Sequence, residues 1–377
     1  MDDAYRLQVD TPLESLDPEQ WDELVGAHPT LSHAYFSALH DTGCAGPRTG
    51  WTPFFLTLQH AGKLAGAVPL YLKTHSRGEY VFDHAWADAY ERHGMRYYPK
   101  LLAAVPFTPV PGPRLLATDD TARAMLARGL VELASGLKLS SLHVLFAPEK
   151  DIAALRQAGC LVREGVQFHW RNAGYADFES FLAGFNHDKR KKLRQDRKKA
   201  QAHGVHFQHI RGRDIGAAEL DFFYACYERT YFEHGNSPYL TRGFFERLHA
   251  RHADSLVLVL ALCQEQPPAC ALNLCGADAL YGRYWGTMQF MPGLHFETCY
   301  MQAIEYCIAE GLDRFEGGAQ GEHKMARGLL PTPTQSAHWI ADPRFAAAID
   351  DFLGRETEAV NEYRDTLARH TPLRRDD

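Results

Sequence analysis

The chain lacks the usual signatures of a metal or redox centre. Its eight cysteines (Cys44, Cys160, Cys226, Cys263, Cys270, Cys275, Cys299 and Cys307) form no C-x-x-C pair, no Cys/His set has zinc-finger spacing, and no H-E-x-x-H run occurs. Zinc fingers and zincin proteases are thereby excluded, no metal ligand set is expected, and the cysteines read as free thiols in a reducing compartment. No apolar run approaches the ~18 residues of a membrane span. The start, MDDAYRLQVD, is acidic rather than basic-then-apolar, so no secretory leader is expected and a cytoplasmic location is. Positive charge is not in surplus either. The net charge is -7, so nucleic-acid binding would have to come from a local patch.

What the chain has is length and aromatic content. At 377 residues it exceeds what one hydrophobic core organises, so two domains are expected. Aromatics make up 12% of it, with 17 Tyr and 6 Trp, which suits clefts as well as cores.

The densest chemistry lies in Arg314 to Arg327, RFEGGAQGEHKMAR. A short strand runs into Gly317, Gly318 and Gly321, which let backbone approach a ligand. His323 is the candidate general base and Glu322 a second candidate or an orienting carboxylate. Lys324 and Arg327 are candidate anion binders. Arg283 and Trp285 lie in an aromatic-cationic strand whose alternation sends Tyr281, Arg283 and Trp285 to one face. His295 and Glu297 open a helix, where free N–H groups favour anions; Glu297 would equally complement the helix dipole. In the first half, Asp83, Trp86, Tyr90 and Lys100, with the proline-braced stretch 107–114, are candidates for the polar-aromatic wall of a ligand groove.

Residues 189–199, KRKKLRQDRKK, carry eight basic side chains against Asp196. Like charges one helical turn apart repel, so anions are expected nearby. Arg190 and Arg194 share a face with Arg197, a geometry suited to phosphates of coenzyme A, a nucleotide-linked precursor or a tRNA. A solvated surface helix is the plainer alternative.

Hydrophobic periodicity predicts an α/β chain. Residues 18–43 read as a helix-rich entry, and helices are expected over 89–105 (interrupted or entered at Pro99), 120–138, 149–158, 294–311 and 343–370. Strands are expected at 51–60, 64–74, 78–86, 140–146, 161–170, 256–262, 269–275, 279–287 and from Arg314, with a Pro-Pro turn between 262 and 269. Phe345, Ile349, Phe352, Leu353 and Val360 fall on one side of the last helix. Phe54–Leu72 aligns with Leu256–Leu274, Gly78–Tyr80 with Asp278–Leu280, and Tyr98–Lys100 with Cys299–Met301, an offset near 201 residues that suggests an internal repeat.

These segments, from GEYVFDHAWADAYERHG through LYGRYWG and LHFETCYMQAIEYCI to RFEGGAQGEHKMARG and SAHWIADPRF, resemble a bacterial family of FemAB-like N-acyltransferases of the GNAT superfamily, labelled peptidoglycan biosynthesis/recognition. The resemblance spans about Trp51 to Phe345. It implies an α/β (α+β) fold of two tandem GNAT-like domains, 1–172 and 173–377, each a mixed sheet flanked by helices. The basic helical segment 187–201 would belong to the second, and an amphipathic helix would end the chain. It also implies acyl or aminoacyl transfer from a thioester or an aminoacyl-tRNA to a small-molecule or peptide amine, with no tightly bound cofactor and a tRNA contact through Lys189–Lys199. The non-catalytic alternative is a GNAT-fold protein that binds a peptidoglycan precursor or peptide. The Q/R-x-x-G-x-G/A loop typical of acyl-CoA enzymes is missing. Gln289-Phe-Met-Pro-Gly-Leu stands in its place.

Overall fold

The computed structural model describes residues 4–202, 204–264, 266–319 and 321–374. They form two compact units, residues 1–166 with 333–363 and residues 167–332 with 364–377. The contiguous division at 172/173 therefore differs from the structure for residues 167–172 and 333–363. For the latter the reason is strand pairing: β15 (Leu330–Ile340) places Ala337–Ile340 antiparallel to β8 (Ser141–Val144).

In the first unit, a four-stranded antiparallel sheet has the order β1 (Arg6–Thr11), β3 (Phe55–His60), β4 (Lys63–Val68), β7 (Leu116–Ala117). The β3–β4 turn falls where the sequence puts it, with Ala61 and Gly62 both at positive φ. Pro69 separates β4 from β5 (Leu70–Lys73). β5 lies between β2 (Trp51–Pro53) and β6 (Lys100–Ala103), and β6 is parallel to β8. Helix α4 (Asp120–Gly136) starts at Asp119, whose carboxylate accepts from the Ala122 N–H. It buries Ala122, Leu126, Leu130 and Ala134, an i, i+4 stripe, against these strands.

The second unit repeats this order: β10 (His206–Arg211), β11 (Leu256–Cys263), β12 (Gln266–Cys275) and β13 (Ala279–Thr287) run antiparallel, and β14 (Arg314–Glu316) is parallel to β13. β9 (Leu161–Arg171) pairs with the far side of β14 through His169–Arg171. Helix α8 (Ala217–Glu233) comes close enough to β13 that a Cβ on Gly286 would lie 2.3 Å from the Cys226 carbonyl oxygen. Glycine is required there by close approach alone. Among the described residues, no helix is long and apolar enough to cross a membrane, and no three His, Cys, Asp or Glu side chains gather as metal ligands.

The predicted repeat holds for its first pair of strands and then drifts. Residues 78–86 are not a strand. They lead into helix α3 (His84–Arg92), and β6 takes the position that β13 holds in the other unit. Residues 89–105 accordingly split between α3 and β6 rather than forming one helix. The Pro-Pro pair lies inside β12, with the turn before it at Gln264. On the final helix α12 (Pro343–Arg369), Ile349 and Leu353 are buried while Phe352 is exposed.

Candidate active site

The parallel pair β13 and β14 positions the cleft. Its register runs Ala279↔Arg314, Leu280↔Phe315, Tyr281↔Glu316. β14 then gives way to Gly317 and Gly318, while β13 continues to Thr287. The gap beyond Tyr281 and Glu316 is a cleft of about 110 Å³, lined by Gly282, Arg283, Trp285, His295, Tyr300 and Gly317 among others. Simple alternation fails at Arg283. It is the extra residue between the pairs Leu272↔Tyr284 and Asn273↔Gly282, a bulge that re-aims the side chains around it. The Arg283 guanidinium lies 5.2 Å from the Tyr284 ring centroid.

The glycine segment turns sharply below the cleft. Gly318 (φ 86°) and Gly321 (φ 118°) adopt backbone that L side chains rarely take. A Cβ on Gly321 would also lie 2.4 Å from the His323 ring, so only glycine lets the imidazole fold back over the turn. Gln320 lies outside the described residues. Glu322–Arg327 then forms a tight helical turn. Its side chains divide by burial. Glu322 and His323 are exposed; Lys324 is only 3% exposed. The Lys324 ammonium donates to the Gly318 carbonyl at 3.0 Å, and among the described residues no carboxylate pairs with it. Burial pulls its pKa down to about 8. Burial, then the charges of Lys324 and Arg327, lower His323 below the usual histidine value, which keeps it neutral near pH 7. The His323 Nε2 lies 3.5 Å from the Tyr300 hydroxyl. Arg327 donates to the His323 carbonyl at 2.9 Å and stacks over Phe296, 3.5 Å from the ring centroid.

The opposite wall comes from a distorted helix. Leu294–Phe296 is one α-turn, Glu297–Met301 is π-helical, and regular helix resumes at Gln302–Glu310. Such widened turns recur at functional sites because they re-aim side chains. Here His295 meets Trp285 (centroids 5.0 Å) and Tyr300 (5.8 Å). Burial, followed by the neighbouring His323, Arg327 and Lys324, pushes His295 to about 4, so it is neutral.

Glu297 does something other than hold an anion. It is buried, accepts from Gln302 at 2.9 Å, and pairs with Arg197 at 3.2 Å. Arg197 belongs to the basic helix α7 (His187–Ala202) and also binds Glu305. These pairs, the Arg194–Glu179 pair and burial of Leu193 and Ala200 explain how a self-repelling sequence stays helical. Arg190 and Arg194 do share a surface, a shallow basic groove with His187, Lys191, Gln195 and Lys198.

The first-half candidates are not an open wall. Asp83, Lys100 and Tyr90 are almost wholly buried, and Trp86 is 6% exposed. Lys100 donates to Glu79 at 2.8 Å and to Asp83, and Asp83 accepts from Tyr97 at 2.6 Å. Residues 107–114 are fastened by Arg114, fully buried, whose guanidinium donates to the carbonyls of Val110 (2.6 Å) and Gly112 (2.9 Å).

Of the sequence candidates, the second unit brings Arg283, Trp285 and His295 to the cleft wall. His323 reaches it through Tyr300, Lys324 lies behind the glycine turn, and Arg327 lines a separate small pocket with Arg197, Phe296 and Glu297. Sequence reasoning passed over Tyr300, which touches both the cleft and His323. Its signal was the Phe296–Tyr300 spacing, one helical turn beside the glycine segment.

No curated protein matches the chain at the level of sequence. Among solved structures, it is similar to FemX (12% identity, TM-score 0.55, covering 89% of this chain and 98% of that one). It is also similar to L-PGS from Bacillus licheniformis (9% identity, TM-score 0.55, covering 90% and 97%). At such identities the likeness is one of fold. The sequence itself matches the FemAB-like family, described as peptidoglycan biosynthesis/recognition, over residues 12–375. The chain therefore belongs to the FemAB-like family.

Proposed function

We propose that the protein transfers an aminoacyl or acyl group to an amine of a peptide or peptidoglycan precursor, in the cleft between β13 and the Gly317–Gly321 turn. The observation that carries this is Lys324: a buried ammonium, without a carboxylate partner among the described residues, set against a glycine turn. A buried cation without a counter-ion is costly, and a ligand that brings negative charge relieves that cost. An acyl-transfer intermediate does so. The neutral His323 takes a proton from the acceptor ammonium, the free amine attacks the acyl carbon, and the carbonyl oxygen becomes an oxyanion facing Lys324. Collapse forms the amide and expels the donor's alkoxide or thiolate, which takes up the second nitrogen proton, while the proton on His323 passes to solvent.

An aminoacyl-tRNA suits the site better than acyl-CoA as co-substrate. Three N–H groups of the loop before the π-helical segment are engaged: Met288 donates to the Pro268 carbonyl (2.8 Å), Gln289 to the Thr287 hydroxyl (3.2 Å) and Leu294 to the Met291 carbonyl (3.2 Å). Engaged N–H groups are lost to a pyrophosphate cradle, which the sequence here also lacks. The basic face of α7 supplies a tRNA with cations, and such a donor sets the reaction in the cytoplasm.

A donor screen tests this, with charged tRNAs and acyl-CoAs offered against amine acceptors. Ribonuclease-sensitive transfer is expected. Transfer from acyl-CoA alone would overturn the choice of donor. The exposure of Glu322 and His323 favours one second reading, a binding protein for the same precursor. Calorimetric binding of the precursor with no transfer from any donor would select it.

A further inference from the structure

The largest hydrophobic exposure in the second unit lies at the lip of the cleft. Phe290 is 85% exposed and Met288 44%, both on the loop between β13 and the helix at Leu294. Polar contacts hold that loop in place. At one end, Arg229 of α8 donates to the Met288 carbonyl at 2.8 Å, next to Phe232, itself 58% exposed and one turn further along α8. At the other end the loop reaches α7, where a Cβ on Gly293 would meet the Asp196 carbonyl oxygen at 3.3 Å.

Helix α7 reverses the sign of the chain's net charge locally. It carries eight Lys and Arg against Asp188 and Asp196. Lys192, Asp196 and Lys199 share the flank that adjoins the loop by their i, i+4, i+7 spacing, and both lysines are exposed. Asp196 lies 3.8 Å from Lys199, and Glu233 of α8 is paired with Arg229. Neither carboxylate cancels the remaining cations.

Exposed apolar side chains on a braced loop, bordered by a polybasic helix, match the interface of an anionic bilayer: aromatic and thioether groups enter the acyl boundary while lysines meet the headgroups. Nucleic acid would use the cations, but it offers nothing for Met288 and the aromatics on both sides of it to enter together. We infer that the Met288–Phe290 loop, Phe232 and the Lys192–Lys199 flank of α7 form a docking surface for membranes containing anionic phospholipid. The surface sits at the cleft mouth, so docking would present the cleft to membrane-borne acceptors. Docking itself is independent of transfer, and a catalytically dead chain would dock equally.

Sedimentation of the full chain with vesicles tests it, comparing phosphatidylcholine alone with phosphatidylcholine mixed with phosphatidylglycerol. Binding to the mixed vesicles is expected, weakening with salt. Phe290→Ser and the double variant Lys192→Glu/Lys199→Glu should each lower that binding by about tenfold or more. These positions are exposed, so the variants should fold, and circular dichroism checks that they do. In Phe290→Trp the indole emission should shift to the blue on mixed vesicles. Equal binding to both vesicle types, no binding, or full binding by Phe290→Ser that RNA displaces would each overturn the inference.

Discussion

Each unit buries a lysine beside its parallel strand pair, and the two lysines are treated in opposite ways. Lys100, at the start of β6, is enclosed with Glu79 and Asp83. Burial alone would lower its pKa, but the two carboxylates override it and hold the ammonium charged. The pair β6/β8 offers no gap, because the residues after β6, Ala104, Val105 and Phe107, are buried beside it. Lys324, next to β14, is as deeply buried and has a carbonyl in place of carboxylates. Its strand pair diverges into a cleft. The chemistry of the surroundings, rather than the residue type, separates a strut from a site. A cation closed by its own counter-ions holds the fold; under the proposed function, one without them is left for a ligand to neutralise.

The contrast can be broken by the same substitution made twice. Lys100→Met should have the largest effect on folding. It strands Asp83 and leaves Glu79 only the more distant Lys73, 3.9 Å away, and should cost about 3–5 kcal/mol in denaturant unfolding. Lys324→Met should leave stability equal or higher, since it removes a desolvated charge, while lowering the transfer rate by about 10²–10³-fold. If the two variants lose stability alike, the distinction fails.

His323→Ala should slow transfer by roughly 10²-fold, the low end for general base catalysis given its exposure, without affecting unfolding. The pH profile of the wild type sharpens this. The proposed reaction needs His323 neutral and Lys324 charged. The rate should therefore rise through a pKa below the usual histidine value and fall again as pH passes about 8. His323→Ala should lose the acidic limb and keep the alkaline one. The smallest effect is expected from Glu322→Gln, whose exposed carboxylate lies outside the cleft; its rate should stay close to that of the wild type.

Much of the second unit was legible in the sequence because its signals are local. The β11 run LVLVLAL is buried through Ala261, as its unbroken apolar character requires. The glycine segment falls at the end of β14, where chemistry was expected. The first unit was less legible. Asp83, Trp86, Tyr90 and Lys100 carry polar and aromatic groups in a pattern that fits a groove wall and a buried network equally. Only long-range partners decide, and Glu79, Tyr97 and His143 approach them through the fold rather than along the chain. The Arg197–Glu297 pair likewise joins residues a hundred positions apart. The bulge at Arg283 left no trace either, because a strand pattern does not reveal which residue is extra.

The return of residues 333–363 to the first unit has a consequence for synthesis. Domains of a nascent chain ordinarily close in the order in which they emerge from the ribosome. Here the earlier unit lacks its strand and its helix until almost the whole later unit has been made. The amino-terminal unit must wait, its sheet margin unfinished, for residues 333–363 to arrive, so the codons of that segment set when the first unit matures.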